Sequence, residues 1–217
     1  MRWGGIRSKI RRRFPPPASR GSGPAAHTLG HMQARIALVR HGETDWNAQG
    51  RLQGSRDIPL NDAGRSQARQ AGVALGRGRW DLLVSSTLQR AAESADIIGA
   101  LIGLEATHRL PDLVERSYGA AEGHIVQGLS RPQVEALLAT GEPEASVAAR
   151  GVGAIGRLVS EYPGRRIVVV AHGTLIRLTL DAVLGGNHPH VENGQVLELD
   201  WDARAWVAPV RASLPGQ

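Results

Sequence analysis

Residues 34 to 54 read ARIALVRHGETDWNAQGRLQG, an apolar run that stops abruptly in an Arg-His-Gly triplet. Ile36 to Val39 is too short for a helix and too apolar for a loop, which marks a buried strand. In α/β folds the carboxyl ends of such strands are where ligands bind. Arg40 and His41 are therefore the first candidates for a site.

The theme returns at RRIVVVAHG, where a β-branched run ends in His172 and Gly173. Other elements are placed between and around these two strands. LNDAGRSQARQAGVALG reads as a helix with Asn61 as its N-cap, Asp62 in its first turn, and Ala68, Ala71, Val73 and Leu75 as its apolar face. WDLLVSS is a second strand ending in hydroxyls. TLQRAAESADIIGALIG reads as a helix that buries Ile97, Ile98, Leu101 and Ile102 and stops at Gly103. A short strand at Ala106–Leu110 leads into the loop PDLVERSYGAAEGH. Helices are expected near Arg131–Thr140, over Val147–Tyr162 and from Thr174 to Leu184. A closing hairpin, GQVLELDWDARAWVAPV, turns near Asp202–Ala203. Alternating strands and helices predict a three-layer α/β/α sandwich around a mostly parallel sheet, with the C-terminal hairpin at its side. A short cap is expected over the sheet's C-terminal edge.

Composition narrows the function. Cys is absent from the 217 residues, which excludes disulfides, thiolate nucleophiles and Cys-based metal sites. No apolar run approaches the roughly 18 residues of a membrane span. The net charge of +6 is concentrated at the start: residues 1–35 hold eight basic residues and no acid. The remainder carries 18 basic against 20 acidic residues, a net of −2, so no nucleic-acid partner and no membrane partner is expected. Residues 1–34 lack apolar periodicity and are broken by Pro15, Pro16, Pro17, Gly21, Gly23 and Pro24. They read as a disordered basic extension. A start codon placed too early is the rival reading, and a targeting peptide fits the triple proline poorly. Residues 35–217 are then the catalytic domain.

Strand ends of a parallel sheet lie along one edge, which lets His41 and His172 face one crevice. Arg90, from the helix after VSSTLQR, and Glu115, from the loop after Leu113, can join them. Two imidazoles, two guanidiniums (Arg40 and Arg90) and one carboxyl suit phosphoryl transfer. Guanidiniums bind phosphate oxygens in a fork and neutralise developing charge, and a neutral imidazole is a nucleophile near neutral pH. A carboxyl with a raised pKa could protonate the leaving oxygen. His108, His124, His188 and His190 read as ordinary surface or loop residues. His188-Pro-His190 has no acidic or Cys partners clustered with it in sequence, so no metal site and no cofactor is expected.

RHGETDWN, the QG at Gln53-Gly54, DIPLNDAGRSQA, SSTLQRAAESA, LVERSYGAAEG and AHGTLIR together resemble the histidine phosphatase superfamily, also called the phosphoglycerate mutase-like family. The resemblance runs from about Arg35 to the C-terminus. It implies that Arg40 and Arg90 bind the transferred phosphoryl group and that His41 becomes phosphohistidine. It further implies that Glu115 donates the proton and that His172 completes the phosphate pocket. Asn47, Gln53 and Gly54 match phosphate- or substrate-contacting positions, and Tyr118 resembles a substrate-side residue of the mutases. The family holds both mutases and phosphatases. Glu115 and His172 are only 57 positions apart, no Lys follows Tyr118, and no Arg-Arg pair sits in the cap; Arg165-Arg166 begins a core strand instead. The Gly-Glu-Ser element usual in family phosphatases is also missing. A small cover favours hydrolysis, so the expectation is a cytoplasmic, metal-independent phosphomonoesterase acting on small phosphorylated metabolites. Phosphoglycerate mutase, a protein phosphatase and a non-catalytic binding protein are the alternatives. The sequence leaves the oligomeric state open.

Overall fold

In this computed structural model the described residues are 34–126, 128–202 and 205–207. The expected extension lies outside them except for Ala34, which is no part of a tail. It is buried at the start of strand β1 (Ala34–Arg40) and pairs with Trp201.

Along the chain, β1 is followed by a one-turn helix α1 (Asp45–Ala48), helix α2 (Asp62–Leu75), strand β2 (Leu82–Ser86), helix α3 (Gln89–Ile102) and strand β3 (Ala106–Leu110). Two 3-10 turns, Pro111–Leu113 and Gly119–Ala121, shape the loop beyond β3. Helices α4 (Arg131–Leu138) and α5 (Glu144–Glu161) lead to strand β4 (Arg166–Ala171) and helix α6 (Gly173–Leu184). Strands β5 (Val196–Trp201) and β6 (Trp206–Val207) close the chain. The sheet order is β3-β2-β4-β1-β5-β6, parallel through the first four strands and antiparallel at β5 and β6. The expected turn of the final hairpin falls partly on residues 203 and 204, outside the described residues.

Successive strand residues point to opposite faces, and the apolar runs serve both. Ile36, Leu38, Val84, Ile167 and Val169 pack on α5 and α6 through Ile155, Leu158, Leu175 and Ile176. Ala37, Val39, Leu83, Val168 and Val170 pack on α2 and α3 through Ala71, Leu75, Ala91, Ala95 and Ile98. This is the three-layer sandwich, and it explains why its central strands read as continuous apolar runs rather than alternating ones.

Helix ends follow the sequence signals. Asn61 Oδ1 accepts from the Gly64 N–H at 2.8 Å, and Gly103 ends α3 in the left-handed conformation, φ 71°. Two expected core residues are instead exposed: Val73 at 58% and Leu101 at 48%. The buried stripe of α2 runs through Gly64, Ala68, Ala71, Gly72 and Leu75, and Val73 lies two positions past Ala71, on the opposite side of a helix with 3.6 residues per turn. Leu101 lies against Gly72 at the rim of the helix pair. Helix α1 carries no apolar periodicity to announce it. A capping box between Thr44 and Asn47 holds it.

The loop after His41 touches the first turn of α2 through two glycines. A Cβ on Gly42 would stand 2.1 Å from the Gly64 carbonyl oxygen, and one on Gly64 would stand 2.1 Å from the Glu43 carbonyl oxygen. Replacing glycine by alanine inside a helix ordinarily gains up to about 1 kcal/mol. Here backbone meets backbone and neither can yield, so Gly64→Ala is expected to destabilise by about 1–3 kcal/mol. Urea unfolding of the two proteins measures the sign directly.

Candidate active site

Strands β1 and β4 pair in parallel with Arg40 opposite Ala171, so the next residue of each, His41 and His172, leaves the sheet at the same height. The His41 N–H donates to the Ala171 carbonyl at 3.0 Å. Their ring centroids are 5.1 Å apart. Strand β2 flanks β4 on its other side and ends in Ser86, whose hydroxyl lies 2.8 Å from His172 Nε2.

His41 Nδ1 lies 2.6 Å from the Gly42 carbonyl oxygen. A carbonyl can only accept, so Nδ1 carries the proton and the lone pair sits on Nε2. Arg90 Nε donates to that Nε2 at 3.2 Å. Arg90 stands in the first turn of α3 with no solvent exposure. Its outer nitrogens donate to two carbonyls of the loop after Gln53: Nη1 to Arg56 at 2.7 Å and Nη2 to Gly54 at 2.8 Å. Asp57, from the same loop, caps α3 by accepting the Gln89 N–H at 2.7 Å.

Arg40 is also buried. Its Nη1 donates to the Val191 carbonyl at 2.6 Å and lies 2.9 Å from His190 Nε2. Arg40 Nε and His172 Nδ1 are buried without a hydrogen-bond partner, as is Gln53 Oε1. Glu115 sits at the N-terminus of α6, its carboxylate accepting from the backbone N–H groups of Arg116 (2.8 Å), Thr174 (3.1 Å) and Leu175 (3.1 Å). The Tyr118 hydroxyl lies 2.5 Å from Thr174 Oγ1. Burial, and then the charge of Glu115, push its phenol up, which keeps it neutral.

These groups line or floor a cleft of about 410 Å³. Arg40, His41, Asn47, Gln53, Gly54, Arg90, Glu115 and Tyr118 all face it, and His172 stands behind His41, wholly buried. Every residue singled out in the sequence is therefore brought to one place. Gly54 contributes its carbonyl to Arg90, and Asn47 Oδ1 accepts from the Thr44 N–H and hydroxyl.

His190 lines the cleft and touches Arg40, whereas it had read as an ordinary loop residue. Glu192 and Asn193 join it, with Asn193 Nδ2 donating to the His41 carbonyl at 3.0 Å. Strand β5 runs antiparallel to β1, with Val196 opposite Val39, so the residues before β5 fall on the edge that carries His41 and His172. An Asn-Gly pair such as Asn193-Gly194 is a turn signal, but nothing local places that turn at the site. Among the described residues no group of three or more His, Asp or Glu side chains is arranged to hold a metal ion, and no helix is long and apolar enough to cross a membrane.

Comparisons with known proteins agree on one family. The model described as histidine phosphatase superfamily (branch 1) matches residues 36–211. PhoE of Bacillus subtilis (strain 168), named an uncharacterized phosphatase, is 36% identical over 152 residues, 70% of this chain and 78% of that protein. The mycobacterial glucosyl-3-phosphoglycerate phosphatase solved with VO3 superposes with a TM-score of 0.68 at 31% identity, over 82% of this chain and 98% of the other. A phosphoserine phosphatase variant from Entamoeba histolytica, solved with phosphoserine, gives 0.73 at 25% identity, over 81% and 95%.

Burial first, then the charges of Arg90 and Arg40, hold the His41 imidazole well below the usual 6.5. Burial, and then Arg90, do the same to His172. The unfolded chain therefore binds more protons than the folded one below pH 6.5. Stability is full above that value and falls as pH drops, until the folded imidazoles themselves protonate. Each ring contributes a slope of up to about 1.4 kcal/mol per pH unit in that window. Imidazole NMR at pH 6 is expected to show His41 neutral with its proton on Nδ1, and urea unfolding between pH 7 and 5 to show the loss. A His41 that titrates at or above 6.5 would contradict both.

Proposed function

The chain belongs to the histidine phosphatase superfamily, and on that premise we propose that it is a phosphomonoesterase that hydrolyses small phosphorylated metabolites through a phosphohistidine on His41. The observation that carries this reading is the pair of buried nitrogens without partners, the Arg40 Nε donor and His172 Nδ1, beside a lone pair on His41 Nε2. Buried polar groups are nearly always hydrogen-bonded, and a pocket that leaves a guanidinium N–H and an imidazole nitrogen without partners beside a nucleophile fits an incoming phosphoryl group. Its oxygens would take the Arg40 N–H, together with the remaining N–H groups of Arg90.

Nε2 attacks phosphorus, an N–P bond forms, and the bond to the alcohol oxygen breaks. Glu115, which must enter this step protonated, gives that oxygen its proton. Water then attacks the phosphohistidine, the N–P bond breaks, Glu115 recovers a proton from the water, and inorganic phosphate leaves. The acid is thereby restored in each cycle. Arg40 and Arg90 supply positive charge to the transferring group, which is the task a metal performs in other phosphoryl transfers, and supports a metal-independent reaction. Hydrolysis rather than mutase chemistry is supported by the rim. Among the described residues lining the cleft, Arg51 is the one Arg or Lys outside the pair at the phosphate, and Glu43 and Glu192 are carboxylates. A phosphoglycerate carboxylate would find no paired basic residues there. The PhoE relative, named a phosphatase, points the same way, as do the solved phosphoserine and glucosyl-3-phosphoglycerate phosphatases. On this reading the protein works in the cytoplasm, without a nucleic-acid or membrane partner.

The test is turnover of p-nitrophenyl phosphate and a panel of sugar phosphates, phosphoserine and phosphoglycerates in excess chelator. Full activity is expected there, and His41→Ala is expected to lose both turnover and the acid-labile phosphoenzyme. Label retained by His41→Ala removes the nucleophile assignment, and activity restored only by added metal removes metal independence. Isomerised phosphoglycerate without phosphate release would make the protein a mutase.

Glu115→Gln separates the steps. Alkyl phosphates leave as strongly basic alkoxides and should slow by about 10² to 10⁴-fold, the usual worth of general acid catalysis. The p-nitrophenyl ester should lose less in the first step and show a burst of product. Equal, mild losses without a burst would remove Glu115 from the acid's role.

A further inference from the structure

We propose that Glu122 is a positioning residue for phosphoryl transfer, its carboxylate clamping the loop from Gln53 to Arg56 whose carbonyls aim Arg90 at His41. The inference rests on the reading of His41 as nucleophile. Glu122 lies seven residues beyond Glu115, and by sequence alone it is a candidate stand-in for the acid. Its surroundings assign it other work. The side chain is only 6% exposed, and donors surround both oxygens. Oε1 accepts from the Ser55 N–H at 2.9 Å, the Ser55 hydroxyl at 3.0 Å and the Tyr118 N–H at 3.2 Å. Oε2 lies 3.1 Å from the Ser55 hydroxyl and 3.4 Å from Arg56 Nε. Glu122 does not line the cleft, so it is not placed to serve a leaving group there.

The loop it grips has one visible task. Gly54 and Arg56, on either side of Ser55, present the carbonyls that hold Nη2 and Nη1 of Arg90. With both outer nitrogens fixed, the guanidinium has one orientation, and in it Nε meets His41 Nε2. Gly54 allows the approach: its φ is +56°, and a Cβ there would stand 2.2 Å from Glu122 Oε1. The Tyr118 N–H bond ties the same carboxylate to the opposite wall, which carries Tyr118 and Glu115. One buried anion thus sets the spacing between the loop that orients Arg90 and the segment that carries the proposed acid. A carboxylate is required because every neighbour donates. A glutamine of the same size would turn an amide N–H₂ toward the Ser55 hydroxyl and the Arg56 guanidinium, or toward two backbone N–H groups.

The experiment compares the full chain with Glu122→Gln, Glu122→Ala and Ser55→Ala. Its readouts are rapid-quench phosphorylation of His41 by p-nitrophenyl phosphate, steady-state kinetics, thermal melts and NMR titration of the His41 imidazole. A misaligned charge is felt most in the transition state. Glu122→Gln is therefore expected to lower the phosphorylation rate and kcat by about 10- to 100-fold, with KM moving less than about threefold. Ser55→Ala should fall in the same direction by less. The His41 titration should rise toward 6.5 in Glu122→Gln, because Arg90 no longer holds its charge against the ring. That movement is the signature a purely structural residue would not give. Unchanged rates and an unchanged His41 titration in Glu122→Gln overturn the proposal, as does a rate loss that follows the melting temperature while the titration stays fixed. If Glu122→Ala fails to fold, the isosteric Glu122→Gln decides. Absence of any phosphoenzyme in the wild-type protein would instead overturn the nucleophile reading. The titration arm would still decide the clamp, since the contact between Arg90 and His41 does not depend on turnover.

Discussion

Strands β1 and β4 run in parallel and end level, with Arg40 opposite Ala171 and the His41 N–H on the Ala171 carbonyl. Everything at the site depends on that register. A slip of one residue would turn His41 to the other face of the sheet and leave His172 without its neighbour. The register is held by side chains on both faces, Ile36 and Leu38 toward α5 and α6, Ala37 and Val39 toward α2 and α3. An apolar strand buried on both sides has no tolerance for slippage. The core thus sets the distance between two imidazoles, and stability and catalysis draw on the same packing.

The second constraint is electrostatic. Two guanidiniums are buried beside two neutral imidazoles, an arrangement that costs free energy unless each charge finds partners. Carbonyls take most of that demand: Gly54 and Arg56 for Arg90, Val191 for Arg40. Glu115 faces both cations from the N-terminus of α6, opposing the pull of burial on each. The nitrogens left over, Arg40 Nε and His172 Nδ1, are the part of this demand that the protein does not meet from within itself. Burial first, and then the same positive charge that would attract a phosphoryl group, keeps His41 unprotonated.

Loops supply the rest. The Gln53–Arg56 segment, the segment around Tyr118 and the residues before β5 each reach the cleft from a different part of the chain, and each is tied to a core element by a specific bond. Asp57 caps α3, Glu122 joins two walls, and Asn193 holds the His41 carbonyl. Rigid strands carry the two imidazoles while loops aim the groups around them, the usual division of labour in an α/β fold.

Apolar runs ending in Arg40-His41 and in His172, the Asn61 cap and the Gly103 stop are local features. Periodicity and capping chemistry are read over a few residues, so the strands, the main helices and the two imidazoles are legible in the sequence alone. Arg90 and Glu115 were legible as types, since each follows a recognisable element. Val73 and Leu101 were misjudged because apolar character does not say which way a helix is turned, and only its neighbours decide that. His190, Glu192 and Asn193 gave no sign of their place, because their position follows from β5 pairing antiparallel to β1, a contact across some 160 residues of chain. The clamp at Glu122 was hidden for the same reason: its partners at Ser55 and Arg56 are more than 60 residues away. Short-range chemistry was written in the sequence by itself, and the pairing of distant backbone, which no local pattern encodes, was left to the tertiary structure.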